Sequence, residues 1–223
     1  MHEIIPKEQG GDLIRIHKVI TRGIMVSSEM AGEFLQSGFP DDETCAGYVL
    51  YLSVLAATLE GHHDTEEEVL FPYLQAHKLD LPYSQLTVQH KQLMGLLEKL
   101  NTLCGKIAGS DDAKRELLQM QSLLGEIEAI WNPHIRWEEQ PFLSGEAQQI
   151  LSPAEFLESG ALSAQHAREH GGPEHLTLPF MLFNLSTEER AEMSRDMPAV
   201  LTDELVPVVW KPHWAPMSPF LLD

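Results

Sequence analysis

Two stretches of the sequence repeat one pattern, His62-His63-Asp64-Thr65-Glu66-Glu67 and His134-Ile135-Arg136-Trp137-Glu138-Glu139. In each, a histidine is followed, after three residues, by a pair of glutamates. On a helix, the i, i+4 spacing of His62 with Glu66 and of His134 with Glu138 stacks imidazole and carboxylate on one face. That face is otherwise apolar. Steps of three and four meet Tyr48, Leu52, Leu55, Leu59, His62, Glu66 and Val69 in one segment. In another they meet Leu117, Met120, Leu124, Ile127, Trp131, His134 and Glu138. Two further seams carry one histidine each. His17 lies between Leu13 and Ile20, with Ile24, Ala31 and Phe34 beyond, and His90 lies between Leu86 and Leu93, with Leu97, Leu100 and Cys104 beyond. A carboxylate on a core seam is costly without a partner. Metal binding supplies one, since imidazole suits iron, zinc, copper and nickel, and bridging carboxylates hold two cations close together. The candidate ligands are His17, His62, Glu66, His90, His134 and Glu138.

Four helices must carry these residues to one place. Residues 8–143 read as mostly helix, broken at Gly38-Phe39-Pro40-Asp41-Asp42, at Leu81-Pro82-Tyr83-Ser84 and between Gly105 and Asp112. Ser84 is the expected N-cap of the third helix, and Ser110 or Asp111 that of the fourth. Four segments of roughly 25–35 residues with short connections predict an up-down antiparallel four-helix bundle. Alternation then puts His17 near the start of helix one, His62 near the end of two, His90 near the start of three and His134 near the end of four. With a rise of ~1.5 Å per residue, all four histidines reach one level at the same end. Pro133, directly before His134, removes a backbone hydrogen bond and is expected to kink the fourth helix.

Composition narrows the field. A formal net charge of −19 argues against nucleic-acid partners, which need clustered Lys and Arg, and against an anionic membrane surface. The two cysteines, Cys45 and Cys104, form no disulfide framework. No apolar run approaches the ~18 residues of a membrane span, and the first residues lack a secretory pattern. The protein is expected to be soluble and cytoplasmic.

The motifs resemble those of the hemerythrin-like, or HHE cation-binding, family. The family's hallmark of His-xxx-Glu-Glu, then an apolar run ending in Phe-Pro, is matched by His62 through Pro72, and a second His-xxx-Glu-Glu by His134 through Glu139. The resemblance covers residues 8–145 and implies an all-α bundle around a non-heme di-iron centre bridged by Glu66 and Glu138. Manganese or zinc are the lesser alternatives. Oxygen-carrying members have a His-xxx-His pair on the third helix, whereas the positions four before and after His90 are Leu86 and Met94. That leaves a coordinatively open centre of four histidines and two glutamates. The expected function is activation of O₂ or a related small oxidant to oxidise a small organic substrate. The alternatives are an O₂, NO or peroxide sensor, scavenger or binder without organic substrate, and a storage or structural metal site.

Beyond residue 145 the chain changes character. Of 14 prolines, eight lie at or after Pro153. Residues 146–223 read as an extension or lid that packs on the bundle and is not an independent domain. Short helices are expected at 153–169, 186–196 and 198–206, with Ser186 starting the second. His63 competes with His62; the register shared with His134 favours His62 and Glu66, and His63 stands as a lesser metal-ligand candidate or a supporting partner. His166 and His170, also i, i+4, are further metal-ligand candidates from the extension. Trp131, one turn before His134, is a candidate wall of the metal pocket. Met25, Met94 and Met120 read as core filler.

Overall fold

A computed structural model describes residues 4–110 and 112–223, and among them there is helix and irregular chain but no strand. Four long helices dominate: α1 (Gly11–Ser37), α2 (Asp42–Thr65), α4 (Tyr83–Ala108) and α5 (Lys114–Leu143). α2 continues through a π turn, Glu66–Leu70, into α3 (Phe71–Ala76). α1 packs on α5 and α2, and α4 packs on α2 and α5, so the four contacts close a ring. The seams read from the sequence form its interior. Leu52, Leu55, Leu59, Leu93, Leu100, Met120, Leu124 and Ile127 are all buried in one cluster. Burying each such side chain contributes about 1.5–3 kcal/mol. Met25 departs from its expected place and is 49% exposed, because it falls one position past the inward-facing Ile24.

A second cluster gathers Ile14 from the start of α1, Phe71 after α2, Leu86 from the start of α4 and Phe142 from the end of α5. These helix ends therefore share one end of the molecule, the end that carries the histidines. α5 runs unbroken through Pro133 and Pro141. The expected caps are only partly used. Asp41 accepts from Thr44 N–H at 2.7 Å to start α2. Pro82 precedes α4, so Ser84 lies inside its first turn and caps nothing. Ala113 precedes α5, with Ser110 accepting from Asp112 N–H at 3.3 Å outside the helix, while Asp111 lies outside the described residues.

The extension contributes α6 (Ala147–Ile150), α7 (Pro153–His170), α8 (Glu174–Phe183), α9 (Thr187–Ser194), a π segment Val200–Val209 and α10 (Lys211–Trp214). Ser152 and Glu155 form a capping box at α7, and Ser186 caps α9 by accepting from Glu189 N–H. α8 has no counterpart in the sequence expectation, since Gly171-Gly172-Pro173 and the internal Pro179 mask it. The third expected helix is instead the π segment. Phe180, Leu185, Trp214, Met217 and Phe220 join the same core as Tyr48 and Tyr51 of α2. Asn184 accepts from Tyr51 Oη at 2.8 Å and from the Arg22 guanidinium. The tail runs so close to α2 that a Cβ at Gly47 would meet Pro216 O at 2.0 Å. By length and composition alone, the continuous Asp42–Ala76 stretch is long and apolar enough to span a membrane, contrary to the reading of its sequence. In this fold its most apolar window is 56% buried inside the protein, as a central core helix is.

Candidate metal centre

Seven side chains converge where the four helices bring their inward polar positions together. They form two groups, His17, His62, Glu66 and Glu138 in one and His63, Glu66, His90 and His134 in the other. Within each, ligand-type atoms lie within 4.8 Å of one another. Glu66 belongs to both. The structure thus brings together all six residues selected from the seams and adds His63. No residue of the seven is more than 8% exposed. His62 and His63 are adjacent on α2, and both turn inward at the point where the helix enters its π turn. A π turn places one extra residue in a helical turn and is frequent at functional sites. Here it carries Phe71 onto His90, with ring centroids 5.6 Å apart and planes 13° from parallel.

Imidazole nitrogens and carboxylate oxygens face one another across the site. His17 Nε2 lies 3.4 Å from Glu138 Oε2 and 3.8 Å from Glu66 Oε1. His62 Nε2 lies 3.4 Å from Glu66 Oε1, His90 Nε2 3.3 Å from Glu66 Oε2, and His134 Nε2 3.2 Å from Glu138 Oε2. The outward nitrogens are anchored. His17 Nδ1 donates to Glu139 Oε1 at 2.9 Å, His90 Nδ1 to Glu67 Oε1 at 2.8 Å, and His134 Nδ1 to Gln89 Oε1 at 3.0 Å. Each bond fixes the tautomer whose Nε2 lone pair points inward, which is how ligating histidines are held. Glu67 and Glu139 are the second glutamates of the two motifs, and each reaches a histidine on another helix. The doubled Glu-Glu was the signal for them. Gln89, directly before His90, carried no such signal. Trp131 forms a wall, with its ring 5.5–5.9 Å from those of His17, His62 and His134. Its indole N–H donates to Thr21 Oγ1 at 2.9 Å.

His166 and His170 stand apart from both groups. His166 pairs with Glu68 at 3.1 Å through Nε2 and meets Thr65 Oγ1 at 3.1 Å through Nδ1. His170 is exposed and lies against His166. Both sit on α7, whose contact with α2 falls on the outer side of the π turn.

The site's own electrostatics mark it as a cation cage. Burial alone would lower His17, but Glu139, Glu66 and Glu138 override it and hold the ring up at about 9. His90 is likewise raised against burial by Glu66, Glu138 and Glu67. Burial, reinforced by the neighbouring imidazoles, pushes His62 down to about 3 and His134 to about 4. Against burial, Glu66 is held well below the usual carboxylate range by His62, His17 and His90, whereas burial and the Glu66 charge push Glu138 well above it. Even so, many polar atoms have no partner. They include Nε2 of His17 and of His62, both ring nitrogens of His63, and all four carboxylate oxygens of Glu66 and Glu138. Buried polar groups are normally bonded, so a cluster of orphans needs an explanation. His90 Nε2 and His134 Nε2 also approach to 3.1 Å. With both Nδ1 atoms donating outward, two lone pairs would face each other unless a proton or a cation stands between them. These mixed nitrogen and oxygen donors fit divalent transition metals.

The comparisons with known proteins agree with this geometry. A fungal protein, the dimeric xanthone biosynthesis cluster protein R11 of Cryptosporiopsis sp. (strain 8999), is 29% identical over 102 residues, which is 45% of this chain and 37% of that protein. The chain therefore spans well under half the length of that relative. No solved structure matches the chain. The family model for the hemerythrin HHE cation binding domain matches residues 12–144, the region that contains every member of the cage. The chain belongs to the hemerythrin HHE cation-binding family.

Proposed function

We propose that the four long helices form an up-down antiparallel bundle around two iron ions that share Glu66, and that the protein uses a small oxidant such as O₂ to oxidise a small organic molecule. Glu66 is suited to bridging because it belongs to both ligand groups. His17, His62 and Glu138 would complete one set and His63, His90 and His134 the other. His63 takes the part of the fifth histidine that the third helix lacks. An iron pair held there would supply the reaction with O₂ and the oxidising equivalents. The protein's own residues do the rest. Glu67, Glu139 and Gln89 orient three imidazoles, Trp131 and Phe71 keep that side dry, and the extension bounds the space beside Glu66.

The observation that carries this reading is a cavity of about 480 Å³ between bundle and extension, whose lining includes His62 and Glu66. Pockets of ~300–1,000 Å³ suit organic ligands of drug size. A diatomic gas needs no more than about the ~30 Å³ of a water molecule, so the cavity favours an organic substrate over gas sensing. The name of the fungal relative places it in a biosynthetic cluster, which also favours an enzyme. The test is stopped-flow mixing of the ferrous-loaded protein with O₂ in the presence of candidate compounds. Irreversible oxidation accelerated by a particular organic compound supports the reading. A reversible oxy spectrum indifferent to every compound overturns it.

A further inference from the structure

The cavity beside Glu66 carries information about what enters it. α7 contributes a run at helical spacing, Leu157, Gly160, Ala161, Ala164 and Ala167, followed by Gly171. None of these but Leu157 projects beyond a Cβ, so they form a smooth strip, bordered on the same helix by Phe156, Ser163 and Arg168. It is pinned at both ends. A Cβ at Gly61, directly before His62, would meet Gly171 Cα at 2.6 Å, and one at Gly160 would meet Asp12 Oδ2 at 3.3 Å. Met181 from α8 and Met193 and Met197 from around α9 add a second lining of thioethers. Methionine adapts its shape and makes favourable sulfur contacts with aromatic rings. Of the five lining hydroxyls, four are bonded to the backbone, and that of Ser163 is not. Thr58 donates to Val54 O at 2.8 Å, Thr65 to Gly61 O at 2.7 Å, Ser159 to Phe156 O at 2.9 Å and Thr177 to Pro173 O at 3.3 Å. Of the two lining cations, Lys7 is paired with Asp196 at 3.3 Å, while Arg168 is exposed at the rim. The lining polar atoms that lack partners are those of His62 and Glu66 on the metal side and the single hydroxyl of Ser163 on α7.

We propose that the cavity binds a flat, largely apolar aromatic molecule, laid along the smooth strip of α7 and gripped by the three methionines, with one edge at Glu66. This inference rests on the reading of the site as one that oxidises an organic substrate. A flexible alkyl chain would gain little from a flat wall, and a sugar or amino acid would leave most of its hydrogen-bonding groups unpaired, since Ser163 is the one lining hydroxyl not already bonded.

The test is equilibrium binding to the full, iron-loaded chain under anaerobic conditions, followed by fluorescence. The probes are 9-anthracenemethanol, which is flat and uncharged, and dodecan-1-ol as an apolar chain competing for the same site. Anthracenemethanol is expected to bind with a dissociation constant in the micromolar range, and dodecanol at least tenfold more weakly. Ala164→Trp, which fills the flat wall, is expected to weaken anthracenemethanol at least tenfold while iron content and melting temperature stay at the parent values. Ala161→Trp, on the same face, serves if the first variant does not fold. The inference is overturned if anthracenemethanol fails to bind, if dodecanol binds equally well, or if the tryptophan variants bind as the parent does. Iron content and O₂ uptake measured on the same samples separate the two readings. Binding without O₂ chemistry would sink the proposed oxidation and leave the pocket assignment standing, and the converse would sink only the pocket assignment.

Discussion

Glu66 is the residue on which both halves of the cage depend, and it has the most severe expected phenotype. Glu66→Ala should cost most of the bound metal from both groups, whereas His63→Ala should cost it chiefly from one. Metal titration of the two variants checks this, and equal losses would argue against Glu66 as the shared ligand. Glu67 and Glu139 act through histidines. Glu67→Ala and Glu139→Ala should weaken metal binding by about 10–100-fold without removing a ligand, measurable by competition with a chelator. Protons compete for the same cage. In the metal-free protein burial holds His62 at about 3 and His134 at about 4, against ~6.5 in an unfolded chain. As pH falls below about 6.5, the unfolded chain takes up protons that these folded-state rings refuse, so stability falls from there toward pH 4. The raised His17 contributes fully below about 6.5 and loses its contribution only as pH rises toward 9. Thermal melts of metal-free protein should therefore show a falling melting temperature between pH 6.5 and 4. The seams made six of the seven cage residues legible in the sequence. His63 was legible only as the lesser rival of His62, because a register argument favours one row per helix, whereas both adjacent imidazoles are buried in the cage here. His166 and His170 had the right spacing on the wrong helix, since spacing alone cannot say which way a helix faces.

At the scale of elements, the π turn Glu66–Leu70 sets the aim of everything after Glu66. Deleting Glu68, whose side chain is 69% exposed, removes a residue without removing core. It should restore an ordinary helix, rotate Phe71 by about 100° away from His90, and lower metal content while helix content by circular dichroism is kept. Unchanged metal binding would show that the turn is incidental. The long helices were readable because their apolar periodicity is strong and their breaks carry Gly, Pro and Asp. The π turn was not, because Glu-Glu-Glu-Val-Leu reads as ordinary helix and nothing local marks the extra residue. α8 was hidden for the opposite reason. Its prolines look like breakers, yet Pro173 sits just before its first turn and Pro179 is buried against the bundle. Serines were uneven guides to helix starts, since Ser186 and Ser152 cap while Ser84 falls two residues past the capping position, Pro82.

For the whole molecule, the extension is a structural part of the bundle's core. Phe180, Trp214, Met217 and Phe220 complete the core around Tyr48 and Tyr51, whose hydroxyls donate to Ser27 O and to Asn184 Oδ1 respectively. Truncation after residue 145 should expose that core and lower the melting temperature by well over 10 °C or yield insoluble protein, readable by calorimetry. Its Pro-rich, apolar composition foretold packing, but which helix face it would cover, and that it would leave a cavity at Glu66, depended on tertiary contacts no local pattern encodes. Metal should couple the four long helices. A ligand bound only by the folded state adds stability as its concentration exceeds its dissociation constant, and the cage draws on α1, α2, α4 and α5 at once.

The most direct test of the central claim is the number of ferrous ions bound per chain at saturation under anaerobic conditions, in the parent and in Glu66→Ala. Two per chain in the parent, falling to less than one in the variant, is the expected result. One or fewer in the parent, or two retained without Glu66, would contradict a dinuclear centre built on that carboxylate.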